Sequence, residues 1–177
     1  MMRKLKNNEL NRLNLEEFKN SKKTPLIIVL NNVRSAHNVG SIFRTSDAFL
    51  VEKICLCGIT PTPPHKEIRK TALGASESVN WQHYTKTIEC INELKAVGYH
   101  IVSVEQADHA VMLNDFFSQR TTKYALVFGN EVKGVEQAIV SASDTVIEIP
   151  QYGTKHSLNI SVSSGIIIWD LLQKLQA

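Results

Sequence analysis

The run "PLIIVL" at residues 25–30 is apolar throughout and rich in β-branched residues. A strand that faces water on one side alternates apolar and polar residues; one that does not alternate is covered on both sides. Four further short apolar runs follow: "KICLCG", "YHIVSVEQ", "KYALVFGN" and "TVIEIP". Between them lie stretches with helical spacing: "NVGSIFRTSDAF", "TIECINELKAVG", "VEQAIVSA" and the long "SLNISVSSGIIIWDLLQKL". Strands covered on both faces and alternating with helices predict an α/β fold with a mostly parallel sheet and helices on both faces.

Asn38 is placed as the N-cap of the helix in "NVGSIF". The helix in "TIECINELKAVG" ends at Gly98. The proline-rich "TPTPPHKEIRKTALGASES" reads as a loop with a short helical turn, and "SVNWQHY" as a short strand. In the terminal helix, Ser157, Ser161 and Gly165 recur at i, i+4 and i+8, with Ser164 beside them. Small residues on one stripe let another element approach closely. Ile160, Ile167, Trp169, Leu171 and Leu172 give this helix more apolar surface than one stripe needs.

The chain's 177 residues are enough for one domain with a real core. A basic N-terminal arm over 1–24 and a single domain over 25–177 are expected. Residues 1–23 carry seven Lys or Arg against three Glu, whereas the rest carries 13 basic and 14 acidic residues. Such an arm suits a polyanion or a solvated helix face equally well. No apolar stretch is long enough to span a bilayer, and the N-terminus has no apolar signal core, so a cytoplasmic protein without a membrane partner is expected. Cys55, Cys57 and Cys90 lack metal-ligand spacing and read as buried free thiols; no metal site is expected.

In parallel α/β sheets, ligands bind beyond the carboxyl ends of the strands. The strand-end segments here are "NNVRSAHNVG", "EQADHA", "GNEVKGV" and "PQYGTKHSLN", and three of the four are rich in Asn, Gly and charge. There is no G-x-G-x-x-G fingerprint and no Walker-type phosphate loop, which leaves dinucleotide and P-loop chemistry without support.

Taken together, "NNVRSAHNVGSIFRTSDAF", "LVFGNEVKGV" and "IPQYGTKHSLNISVSSGIIIWDLLQ" resemble, in order and spacing, the three motifs of the SpoU (TrmH-like) RNA ribose methyltransferases. The resemblance covers residue 26 to the C-terminus. It implies the SPOUT fold with a C-terminal trefoil knot, S-adenosyl-L-methionine as cofactor, a homodimer with the active site near its interface, and methylation of a ribose 2′-hydroxyl of tRNA or rRNA. By the same resemblance Arg44, Asn38, Glu131, Ser157 and Asn159 are catalytic candidates. Val104, Gly129, Ile149 and Leu158 fall where family members touch the cofactor, largely through backbone groups; an ordinary core role is the alternative for the apolar three. A guanidinium stays protonated near neutral pH, so Arg44 is read as positioning phosphate and ribose, and the base is left open. Glu131 is expected to fix Arg44 by charge-assisted hydrogen bonds. Lys155 and His156 read as solvent-exposed loop.

The sequence departs from the family pattern where Val132 follows "GNE", where Ala36 replaces a proline and where Leu50 replaces a glycine. If position 132 needs a positive φ, a β-branched residue there is strained. Two other readings stay open: a non-catalytic RNA-binding protein of the same fold, and a small-molecule-binding α/β domain. The short arm before the first strand favours tRNA slightly.

Overall fold

The computed structural model describes residues 2–176; Met1 and Ala177, which the expected arm and domain include, lie outside it. Seven strands form one sheet: β1 (Thr24–Asn31), β2 (Val51–Cys57), β3 (Trp81–Tyr84), β4 (Tyr99–Val104), β5 (Val111–Met112), β6 (Lys123–Phe128) and β7 (Thr145–Glu148). Their order is β3-β2-β1-β6-β4-β7-β5, and every pairing is parallel. The seven α-helices among the described residues are α1 (Leu15–Asn20), α2 (Ala36–Ala48), α3 (Lys66–Ala72), α4 (Ala75–Ser78), α5 (Thr87–Ala96), α6 (Gln137–Ala142) and α7 (Ile160–Gln176).

The pleat of β1 explains its unbroken apolar run. Leu26, Ile28 and Leu30 face the core shared with α2, α3, α4 and α7. Ile27 and Val29 face the core shared with α5 and α6. Cys55, Cys57 and Cys90 are free and buried in that second core. Phe18 of α1 inserts into the first core, so the basic arm is anchored by one aromatic residue.

Three local expectations are corrected. Ser35, not Asn38, caps α2: its hydroxyl accepts from the Asn38 backbone N–H at 3.3 Å, and the helix already begins at Ala36. The proline-rich stretch holds two helices, because its prolines all precede the His65 cap of α3; beyond them Ile68, Ala72, Ala75 and Val79 supply a buried helical stripe. The terminal helix starts at Ile160, so Ser157 lies outside it. Ser164 is the fully buried small residue of α7, whereas a side chain at Gly165 would meet nothing within 4 Å. At Gly165 the stripe therefore receives no neighbour among the described residues. The two-residue strand β5, which completes the sheet edge beside β7, has no sequence signal of its own.

The central strands β1, β6, β4 and β7 are consecutive in the sheet and end at one level. Leu30 pairs with Phe128, Phe128 with Val104, and Val104 with Ile147. The four strand-end segments singled out in the sequence thus emerge side by side.

Candidate active site

A cavity of about 530 Å³ opens where these segments meet. Its walls are residues 104–106 at the end of β4, 128–134 at the end of β6, 147–149 and Gln151 from β7 onward, and 156–160 at the start of α7, with Ser163. That volume suits a small-molecule site.

The segment after β6 folds back on itself. The backbone N–H of Asn130 donates to the Gly134 carbonyl, and that of Gly134 to the Asn130 carbonyl, both at 2.9 Å. This return brings backbone against Gly129, where a Cβ would lie 2.1 Å from the Gly134 carbonyl carbon and from the Val135 nitrogen. No side chain fits there. Gly134 turns the chain at φ +68°, and a Cβ would strike the Glu105 carboxylate. Val132 is not among the residues with positive φ, so Gly134 takes the left-handed conformation and Val132 is left unstrained and 74% exposed. Inside the turn, Asn130 Oδ1 accepts from the Val132 and Lys133 N–H groups (2.9 and 3.1 Å), and its Nδ2 donates to the Asn32 carbonyl at 2.7 Å. Glu105, from the loop after β4, accepts from the Val135 N–H at 2.8 Å.

Glu131 faces the start of α2. Its carboxylate accepts from the backbone N–H groups of Arg34 (3.0 Å) and Ser35 (2.9 Å) and from Asn38 Nδ2 (3.2 Å). Burial alone would raise this carboxyl; the hydrogen bonds from Arg34, Ser35 and Asn38 outweigh it and hold the group below the usual glutamate range. Asn38 Oδ1 in turn accepts from Asn159 Nδ2 at 3.2 Å. Asn159 also caps α7, its Oδ1 accepting from the Ser161 N–H at 2.9 Å. A chain of hydrogen bonds, Glu131–Asn38–Asn159, thereby joins all three motif segments.

Of the residues singled out in the sequence, Val104, Gly129, Glu131, Ile149, Ser157, Leu158 and Asn159 line the cavity, and Asn38 is bound to two of them. Arg44 is not among the lining residues. It lies on the outward ridge of α2 with His37 and Ser41, exposed and without an ion-pair partner among the described residues. The expected Glu131–Arg44 bond is absent among the described residues because the unpaired N–H groups ahead of α2 take up that carboxylate. His156 is exposed, as expected, but it lines the cavity too, and its carbonyl accepts from Gln106 Nε2 at 2.9 Å. Sequence reasoning missed Glu105, Asn130 and Gly134. Only the position of "EQADHA" at a strand end hinted at the first.

The donor set fits S-adenosyl-L-methionine. Val104, Phe128, Ile149 and Leu158 give an apolar wall for an adenine, and the Glu105 and Glu131 carboxylates suit a sulfonium and an ammonium.

A parallel α/β chain with a small-molecule cavity across adjacent strand ends belongs to a broad class of ligand-binding and transferase folds. Residues 25–169 match the SpoU rRNA Methylase family, and the chain belongs to that family. An uncharacterized tRNA/rRNA methyltransferase of Borreliella burgdorferi is 33% identical over 164 residues, covering 91% of this chain and 69% of that protein. The 23S rRNA (guanosine-2'-O-)-methyltransferase RlmB of Neisseria meningitidis is 28% identical over 159 residues, covering 89% and 62%. This chain thus spans about two thirds of the length of such relatives. Among solved structures, the A. aeolicus TrmH/SpoU tRNA modifying enzyme superposes with a TM-score of 0.81 at 29% identity, over 92% of this chain and 81% of that one. The AdoMet-bound rRNA methyltransferase of Sinorhizobium meliloti gives 0.80 at 25% identity, over 88% and 59%.

Proposed function

We propose that this protein is an S-adenosyl-L-methionine-dependent RNA methyltransferase that modifies a ribose 2′-hydroxyl of tRNA or rRNA. The observation that carries the reading is the Glu131–Asn38–Asn159 chain at the mouth of a cavity built from four adjacent strand ends. Bound there, the cofactor supplies an activated methyl group on a sulfonium.

This chain's residues do the rest. Val104, Gly129, Ile149 and Leu158 hold the cofactor, chiefly through the close approach of backbone that Gly129 permits. Glu131 stays ionised and fixes Asn38, which presents its amide to the ribose. Ser157 and Asn159 form the third wall, and Asn159 is immobilised by capping α7. Arg44, free on α2, takes the phosphate next to the modified ribose and so aligns the hydroxyl. The trefoil knot belongs to the same reading, with β6 and β7 inserted among earlier strands as its support.

The reading includes a homodimer. Val162, Ile166 and Trp169 form a stripe on α7 that is 39–52% exposed, and the space at Gly165 beside it is open. A second copy would cover this stripe. We also place the protein in the cytoplasm, a reducing compartment suited to its three free thiols. Among the described residues no helix is long and apolar enough to cross a membrane.

The test is incubation with labelled S-adenosyl-L-methionine and pooled cellular RNA, followed by digestion to nucleosides. A labelled 2′-O-methylnucleoside is expected. Arg44→Ala should lose transfer while keeping cofactor affinity. Cofactor binding without transfer would favour a binding-only protein of this fold; absence of cofactor binding would refute the proposal.

A further inference from the structure

The functional reading leaves one charged cluster unused, on the outer side of the α2–α3 junction. His37 Nε2 meets the Glu67 carboxylate across that junction. Lys70 Nζ lies 3.9 Å from the same carboxylate. Thr71 Oγ1 donates to the His37 carbonyl at 3.0 Å, which fixes α3 against the first turn of α2. Lys66 and Lys70 are one helical turn apart on α3, and both are exposed. Arg34 is exposed just ahead of α2, and its backbone N–H is already bound to Glu131.

A solvated helix face is the ordinary explanation for exposed lysines, and the α5 side of the sheet shows what that looks like. There Lys86 stands 3.7 Å from Glu89, and Lys95 stands 2.9 Å from Asp144, one acid to each cation. On the α2–α3 side Glu67 is the one acid of α3 and lies beside both Lys66 and Lys70. Lys66, and Arg34 just ahead of α2, have no ion pair among the described residues. The cluster reaches toward the site through two residues: His37, which holds Glu67, adjoins Asn38 in α2, and the Arg34 N–H is bound to the cavity-lining Glu131. A polyanion must lie near there if a ribose is to reach the site. The cluster also continues the outward ridge of α2 that carries Arg44.

We propose that the α2–α3 face is the track for the RNA backbone beside the modified nucleotide, with Arg34, Lys66 and Lys70 contacting phosphates and Glu67 fixing the row. The inference rests on the reading of the chain as an RNA methyltransferase.

Each lysine that neutralises a phosphate releases counterions, so its loss lowers the salt dependence of binding by roughly 0.7–0.9 in log–log slope. That corresponds to about a five- to eightfold weaker affinity in ~0.1 M salt relative to a 1 M reference. The experiment measures RNA affinity against salt, and steady-state transfer, for Lys66→Glu, Lys70→Glu and Lys123→Glu. Lys123 is exposed at the start of β6, the opposite end of the sheet from the cavity. Expected for the first two are a raised KM for RNA, a shallower salt slope, and unchanged kcat and cofactor affinity; Lys123→Glu should match wild type. Equal effects in all three variants, or wild-type slopes in Lys66→Glu and Lys70→Glu, would overturn the track and leave the enzyme assignment standing. A wild-type protein that transfers no methyl to any RNA would overturn the enzyme assignment, and the track with it.

Discussion

Two walls of the same cavity are built on opposite plans. The wall after β6, residues 129–135, is held by its own chain: a backbone return, an asparagine filling the turn, and Glu105 and the start of α2 gripping it from outside. The wall after β7 is open. Residues 152–158 are all exposed, Tyr152 at 96%, and the Gln106 bond to the His156 carbonyl is their one hydrogen bond among the described residues. The first wall is set before any ligand arrives. The second has few internal bonds to lose and can adapt to what it holds.

The pre-set wall is most vulnerable at Gly129. Gly129→Ala places a methyl against backbone that cannot swing aside, and a loss of about 3 kcal/mol is expected in denaturant unfolding, the upper end for overpacking. Cofactor affinity should fall with it. Asn130→Ala leaves two turn N–H groups and the Asn32 carbonyl without their partner, at an expected cost of ~2 kcal/mol. Glu131→Gln sharpens the electrostatic part. The carboxyl of Glu131 is depressed in the folded protein, so its stabilisation is fully present above the ordinary glutamate value of roughly 4.3 and is lost as pH falls through the lower folded value. The melting-temperature gap between wild type and Glu131→Gln should therefore be constant from neutral pH down to about 5 and close in stronger acid. A gap that grew on acidification would contradict the assignment. Smallest of all, Tyr152→Ala should change stability by less than ~0.5 kcal/mol, because it removes no buried contact.

The same contrast marks how far the sequence could be read. The alternation was legible because the central strands β1, β2, β4 and β6 are buried on both faces and each long helix on one. The strand-end segments were legible from their Asn, Gly and charge, whereas the individual polar candidates within them were read through the resemblance to the family motifs. Glu105 was not, because its role comes from a contact 30 residues away, at Val135. The choice between Ser35 and Asn38 as cap could not be made either: both are capping residues, and Glu131, distant in sequence, claims the Asn38 side chain. Helices α3 and α4 were hidden behind prolines that precede them. Leu50 shows the limit from another side. It replaces the family's glycine, yet it keeps the left-handed backbone, φ +53°, while packing partly against the core.

Amide hydrogen exchange with and without S-adenosyl-L-methionine tests most directly whether these two walls enclose the cofactor. Residues 130–135 should exchange slowly already and change little. Residues 151–159 should exchange quickly alone and slow by at least about tenfold when the cofactor binds, equivalent to roughly 1.4 kcal/mol of added protection. Unchanged exchange in 151–159 at saturating cofactor would contradict the account.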